Sequence, residues 1–265
     1  MAGGDRPEGR LAIGVDVGGS AIKVGAVAVD RGELIGRRVR MPTPDPSSPA
    51  KVVPAIARTV ARLVRDTGDV PAAPPVGVGV PAVVIGGVTK SAANIDADWI
   101  DFDAREALTT ELKRPVVVLN DADAAGLAEM RFGAGIDEPG VVFVLTLGTG
   151  VGSGMFNDGR LVPNTELGHM EIRGRDAERR SAAAARTRRG LSWKAWAEDL
   201  DEHLHAIEKL FSPDLIILGG GVSKQPDKFI PLLTVKTRVV PAKLQNDAGI
   251  VGAAMAAAEA HLPDR

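Results

Sequence analysis

The sequence predicts an α/β fold built from two similar halves, and three observations carry that expectation. Short branched apolar runs alternate with stretches of helical periodicity, the pattern of strands exchanging with helices. A strand ending in a polar residue, a glycine break and a hairpin occur twice, once after Asp16 and once after Thr146, which reads as an internal duplication. At 265 residues, 45% hydrophobic and 25% charged, the chain has the apolar content to fill two modest cores.

Leu11 to Val17 alternates and branches like a strand. Gly18-Gly19-Ser20 breaks it, and Ile22 to Val29 and Leu34 to Met41 extend it as a meander closed by the turn residues Asp30-Arg31-Gly32-Glu33. The proline-rich MPTPDPSSP connects to a helix from about Ala50 to Asp66, with Val52, Ile56, Val60, Leu63 and Val64 on one face. A strand over Val76 to Val80, a glycine-turn hairpin in PAVVIGGVTK and a helix from Asp103 to Leu112 follow. The nearly continuous apolar run Pro115 to Leu119 predicts a strand covered on both faces, with Asn120-Asp121 at its carboxyl end before a helix. The second half predicts a strand in VVFVLTL, the break GTGVGSG and a hairpin through Asn157-Asp158-Gly159-Arg160. Helices are expected over about 176–186 and 192–211, a strand at Leu215 to Leu218 ending in Gly219-Gly220-Gly221, a helix near Asp227, a strand at Arg238 to Val240, and a last helix from Asp247 to Ala260.

Composition excludes several chemistries. Zero Cys removes disulfides, thiolate nucleophiles and cysteine zinc sites, and four scattered His give no metal-ligand spacing. Six Phe, three Trp and no Tyr leave few rings on which bases could stack, so no nucleic-acid partner is expected. The net charge of −2 supplies no whole-molecule field for a polyanion, so any such affinity must be local. The opening residues carry no apolar signal core and no run is long enough to span a bilayer, so no membrane partner and a cytoplasmic location are expected.

The two glycine breaks carry the first chemistry. In Asp16-Val17-Gly18-Gly19-Ser20, with Lys23 close behind, absent side chains let backbone N–H groups approach an anion and the ammonium adds a point charge. Thr146, Gly148, Thr149 and Gly150 echo this in the other half, and two such loops suit the two sides of one phosphoryl chain; plain β-turns are the alternative. Gly219, Gly220 and Gly221 offer unhindered backbone to a flat base, or form a tight strand-to-helix turn. Neither the P-loop spacing nor the dinucleotide-binding fingerprint is present. Asp121 is either a helix N-cap or a carboxylate that accepts a proton from a substrate hydroxyl. Glu166 and His169 are either ordinary loop residues or partners for vicinal sugar hydroxyls, with Asn94 and Glu178 as further polar contacts. Arg173 to Arg189 holds seven Arg against Asp176 and Glu178, a local charge of +5; it is a solvated helical face or a path for a linear polyanion along Arg179, Arg180, Arg186, Arg188 and Arg189.

The segments IGVDVGGSAIKVGAVAVD, LNDADAAGLAE, VLTLGTGVGSG, ELGH and LGGGVS, spread in order over nearly the whole chain, resemble the ROK family of sugar kinases. The resemblance implies an actin/hexokinase-type (ribonuclease H-like) ATPase fold, two duplicated α/β lobes around a cleft. More narrowly, LVPNTELGHMEI, the basic stretch ending in LSWKAWA, LGGGVSKQPDKFIPLL and LQNDAGIVGAA resemble the polyphosphate-using branch of the family, which implies a glucokinase with glucose as acceptor and inorganic polyphosphate, often alongside ATP, as donor, feeding glycolysis. Asp121 would be the catalytic base, and Asn94, Asp121, Glu166, His169 and Glu178 would hold glucose. Asp16, Gly18, Gly19 and Lys23 match the first phosphate motif, in which Ser20 stands where Thr is common, Thr146, Gly148, Thr149 and Gly150 match the second, and Gly219 to Gly221 the adenosine motif. Many members carry a cysteine-rich zinc motif after the Gly-His element, where this chain is Arg-rich, so no structural zinc is expected.

The expected reaction is attack of the sugar 6-hydroxyl, oriented by Asp121, on the terminal phosphoryl group, with Mg²⁺ bridging donor oxygens and reaching Asp16. The expected division is a small lobe over 1–119, with 247–265 packing back on it, and a large lobe over 120–246; a homodimer is implied by the resemblance. The competing readings are an ATP-only hexose kinase of the same family and a non-catalytic sugar sensor. Only ten residues precede the first strand, too few for a DNA-reading helix-turn-helix, so a repressor is not expected.

Overall fold

The computed structural model describes residues 10–67, 74–93 and 95–261, and the chain divides into two compact units, Met1–Ala124 with Gly249–Arg265, and Ala125–Ala248. In the first unit β1 (Leu11–Val17), β2 (Ala21–Ala28) and β3 (Glu33–Pro42) form the antiparallel meander, α1 (Pro49–Thr67) follows, and β4 (Val76–Val80) pairs parallel with β1. A small sheet of β5 (Val84–Ile85), β6 (Val88–Thr89) and β7 (Phe102–Asp103) precedes α2 (Ala104–Leu112), β8 (Val116–Asn120) and the start of α3 (Asp121–Phe132). The main sheet runs β3-β2-β1-β4-β8. The apolar face of α1, Val52, Ile56, Val60 and Leu63, packs against Ile13, Val15, Ile22 and Val78, which is why the 3.6-residue pattern read from sequence forms a helix here.

The second unit repeats this plan. β9 (Val141–Leu147), β10 (Val151–Asn157) and β11 (Arg160–Val162) form an antiparallel meander, and its sheet runs β11-β10-β9-β14-β15. Between them lie the short hairpin β12 (Glu171–Ile172) and β13 (Arg175–Asp176), then α4 (Glu178–Ser181), α5 (Ala183–Arg188) and α6 (Trp193–Phe211), before β14 (Leu215–Gly219) and β15 (Arg238–Pro241). Trp196, Leu200, Leu204 and Ile207 of α6 bury against Phe143, Leu145, Ile216 and Leu218 on one sheet face. The other face, Val142, Val144 and Ile217, meets Leu127 and Met130 of α3. Both sheets thus have two antiparallel strands on one side of a parallel trio, the topological content of the duplication.

The last helix, α7 (Ala248–Ala260), is apolar on all sides as far as Ala258 and largely buried over that length, as such a helix must be. Its backbone lies directly on the first sheet: a Cβ added at Gly77 would stand 1.7 Å from the carbonyl oxygen of Ala253. Only glycine leaves room for that approach. Among the described residues no helix is long and apolar enough to cross a membrane.

Three local expectations are corrected. β8 is an edge strand in which Val116, Val118 and Asn120 are buried while Val117 and Leu119 are half-buried, so only one face is well covered. The helix expected over 176–186 is split at Ala182, whose extended backbone (ψ 150°) separates α4 from α5. Tertiary hydrogen bonds win there over the helical ladder. The Trp196 indole N–H donates to the carbonyls of Ser181 and Ala182 at 3.1 and 3.2 Å, and the Ala184 amide donates to Gly148 O at 3.0 Å. Finally, the segment around Asp227 forms three short 3-10 turns rather than a helix, because Pro226 and Pro231 remove donors while Phe229 is pinned in the core against Trp193 and Trp196.

Candidate active site

In the first unit the chemistry gathers at the carboxyl ends of the parallel strands, where open α/β sheets bind ligands. Asp16 is level with Gly79 in the β1/β4 register, and Val80 is level with Asn120 in β4/β8. Asn120 is buried; its Oδ1 accepts from the amides of Ala122 (2.8 Å) and Asp123 (3.1 Å), and its Nδ2 donates to Ala82 O at 3.1 Å. The N-cap of α3 is therefore Asn120. Asp121 stands one residue inside, half-buried, and its competing assignment as the cap is taken by its neighbour.

The first glycine loop is a tight turn. Gly18 N donates to Ala21 O at 3.0 Å, and the Thr43 hydroxyl donates to Gly18 O at 2.5 Å, leaving Gly19 and Ser20 exposed at the tip. Lys23 lies on β2, behind this loop. It is the cross-strand partner of Asp16, and its Nζ lies 2.7 Å from Asp16 Oδ2, so its charge is shared with that carboxylate. Asp16 also packs beneath the first turn of α7, where a Cβ at Gly249 would come within 3.1 Å of its carboxyl carbon.

In the second unit, two glycine loops adjoin. Thr146 and Gly219 are register partners in β9/β14, so both loops leave the same sheet edge. Gly148 and Thr149 are exposed. Gly220 has φ +84°, and a Cβ there would lie 2.2 Å from Leu147 O, which accounts for the middle glycine by close packing. Gly221 faces open space and leaves backbone accessible to a flat group.

Beside these loops Glu166, His169 and Glu178 come together. Glu166 precedes the 3-10 turn Leu167–His169, and its Oε2 lies 3.7 Å from His169 Nε2. Burial raises the Glu166 carboxyl above its ordinary pKa; His169 opposes this, and Glu178 adds to it. Glu178 opens α4, and its Oε2 accepts the Val151 amide at 3.0 Å, tying it to the second glycine loop. Asp176 was missed as a site residue. The β12/β13 hairpin returns it to 3.3 Å from His169 Nδ1, and His169, Asp176 and Glu178 present ligand-type atoms all within 4.8 Å of one another. Sequence spacing gave no such cluster, because a hairpin rather than a helix repeat creates it. Asn94 lies outside the described residues.

His203 was also missed. It is buried on α6, its Nε2–H donates to Leu167 O at 3.0 Å, and its Nδ1 lies 2.9 Å from Ser181 Oγ, so it joins the turn of Glu166 and His169 to α4. The available signal was a polar residue within the apolar stripe Trp196, Leu200, Leu204 and Ile207. Burial lowers its pKa from 6.5 to about 4. Between those values the unfolded chain binds a proton that the native state excludes. Stability should therefore fall as pH drops through this window, by up to about 1.4 kcal/mol per pH unit from this group. Urea midpoints measured across the window should show this slope, and His203→Gln should flatten it; parallel curves for the two proteins would refute the assignment.

The arginine cluster is divided by the structure. Arg180 and Arg189 both pair with Asp199, a buried carboxylate of α6, and Arg180 also meets Glu202 at 2.7 Å. These two arginines join α4 and α5 to α6. The Arg186 guanidinium lies 3.9 Å from the Trp193 ring centroid, while Arg179 and Arg188 are exposed, linked by a bond from Arg188 to Arg179 O at 3.0 Å.

Two units of like topology, each with glycine loops at the carboxyl edge of its parallel strands, define a mixed α/β fold of the hexokinase type. The chain belongs to the ROK family, whose family model matches residues 12–188. It is 49% identical over 248 residues to a polyphosphate glucokinase of Mycobacterium tuberculosis, covering 93% of this chain and 91% of that protein. Among solved structures it matches the inorganic polyphosphate/ATP-glucomannokinase of an Arthrobacter strain with TM-score 0.93 and 50% identity, covering 95% of this chain and 100% of that one. A ROK family glucokinase from Streptomyces griseus, in complex with glucose and AMPPNP, matches with TM-score 0.81 and 26% identity over 94% of this chain and 99% of that one.

Proposed function

We propose that this protein is a glucokinase that transfers a phosphoryl group from inorganic polyphosphate, and from ATP, to the 6-hydroxyl of glucose. The observation that carries this reading is the 49% identity to a polyphosphate glucokinase across 93% of the chain. In the reaction, the 6-hydroxyl oxygen bonds to the terminal phosphorus, the bond from that phosphorus to the next phosphate's bridging oxygen breaks, and Asp121 accepts the hydroxyl proton. Glu166, His169 and Glu178 hold sugar hydroxyls, with Asn94 as a further contact. The amides around Gly18 to Ser20 and Gly148 to Gly150 receive phosphate oxygens, and Gly221 leaves backbone open for adenine.

Asp16 fits a magnesium ion held mainly by donor phosphates: it offers a carboxylate at a strand end, with one oxygen already shared with Lys23. When bound, such an ion neutralises phosphate charge. A cytoplasmic homodimer, with the product entering glycolysis, belongs to the same proposal. Zero Cys is compatible with a reducing compartment, and sedimentation at several concentrations should show a dimer, whereas a monomer throughout would contradict it.

Donor choice is tested at the exposed arginines. Replacing Arg179 and Arg188 together by Ala should lower kcat/KM for polyphosphate about tenfold or more and flatten its salt dependence, with a smaller effect on ATP. Arg180 and Arg189 are unsuitable for this test because their loss strips Asp199 of its partners. Equal losses with both donors would favour an ATP-type phosphate site without a polyphosphate path.

A further inference from the structure

His169 sits between two carboxylates, and they are not equivalent. Its Nδ1 is 3.3 Å from Asp176 Oδ2, within hydrogen-bond reach, whereas its Nε2 is 3.7 Å from Glu166 Oε2, beyond it. A neutral imidazole carries one N–H, and the hydrogen bond made at one nitrogen decides which nitrogen bears it. A carboxylate only accepts, so the contact with Asp176 places the proton on Nδ1 and leaves Nε2 as an acceptor.

Asp176 is held in position to do this. The hairpin turn that returns it has left-handed backbone at Arg173 (φ 55°) and Gly174 (φ 73°), and the Ala177 amide closes the hairpin on Met170 O at 2.8 Å. Arg173 at the tip is anchored to Glu202 of α6 at 2.6 Å. Glu178, the third group of the cluster, is engaged by the Val151 amide.

We propose that Asp176 is a positioning residue that fixes His169 as the Nδ1–H tautomer, so that Nε2 and the Glu166 carboxylate both accept hydrogen bonds from neighbouring sugar hydroxyls. Without Asp176 the proton moves to Nε2, the imidazole donates to Glu166, and the two groups satisfy each other instead of the sugar. The tautomer stands on the geometry alone; its consequence for glucose rests on the proposed function.

The test is long-range ¹⁵N NMR of the ring nitrogens in histidine-labelled full-length protein at about pH 8, where an ordinary imidazole is neutral, together with steady-state kinetics. The wild type should show a protonated Nδ1 and an unprotonated Nε2 at His169. Asp176→Ala should reverse or mix the pattern and raise the KM for glucose about tenfold with kcat changed only a fewfold. Asp176→Asn keeps an acceptor oxygen and should restore most of both. In a His169→Ala background, Asp176→Ala should add little, which a merely structural role for the hairpin would not produce.

An Nε2–H tautomer in the wild type, full additivity of the two substitutions, or a ring signature that changes on adding a chelator would overturn the proposal; the last would mean that a metal rather than Asp176 sets the ring. If the wild type phosphorylates no sugar, the proposed function fails, while the tautomer measurement still decides the role of Asp176.

Discussion

Replacing Asp121 with Asn should lower turnover about a thousandfold while leaving glucose affinity within a fewfold of the wild type. The substitution keeps the shape of the side chain and one acceptor oxygen, so a substrate hydroxyl can still be oriented. What it removes is the ability to take the proton as the oxygen–phosphorus bond forms. Folding should be little affected, because the cap of α3 is supplied by Asn120 through the amides of Ala122 and Asp123. Losing a negative charge from the first turn costs only about 0.3–1 kcal/mol. Turnover near the wild-type value would remove Asp121 from its assigned role; a fall in glucose affinity large enough to explain the whole defect would make it a binding group alone.

The largest expected effect on stability lies away from the reaction. Glu129 is 1% exposed on α3, and its two carboxylate oxygens accept from three backbone amides, Ala134 at 2.9 Å, Lys243 at 3.1 Å and Leu244 at 2.7 Å. It pins the end of α3 to the segment that follows β15. Hydrogen bonds to a charged acceptor are worth about 1.5–3 kcal/mol each, but the three share one side chain, so their losses do not add. Glu129→Ala should cost about 3–5 kcal/mol, a fall in Tm on the order of 10 °C. Glu129→Gln keeps one acceptor oxygen and should fall between. A urea midpoint for Glu129→Ala within experimental error of the wild type would refute the role.

How far the sequence foretold this structure depended on whether a signal was local. β1, α1, β4 and β9 were legible because their apolar periodicity is complete within the segment, and the structure returns β1 over Leu11–Val17 and β4 over Val76–Val80, as read. Asn120-Asp121 was legible as a strand end before a helix, but which residue caps and which reaches outward depends on Ala82 O, 38 residues away. The division of 176–186 was hidden for the same reason, since its alanines favour helix and only Trp196 and Gly148 break it. The pairing of Lys23 with Asp16 was not legible, because it is set by the β1/β2 register rather than by a local motif. Asp176 carried no motif at all; seven residues from His169, it matters only because a hairpin folds it back. The proline pair around Asp227 was a local signal that a helix assignment overlooked.

In the proposed reaction an alcohol oxygen of glucose attacks the donor phosphorus with Asp121 as its base. The decisive measurement is ³¹P NMR of the reaction with glucose carrying ¹⁸O at the 6-hydroxyl, run with polyphosphate and with ATP. With both donors the wild type should give glucose 6-phosphate with the labelled oxygen retained in the bridge to phosphorus, and Asp121→Asn should form it about a thousandfold more slowly. Release of inorganic phosphate without sugar phosphate, or equal rates from the two proteins, would rule this reaction out.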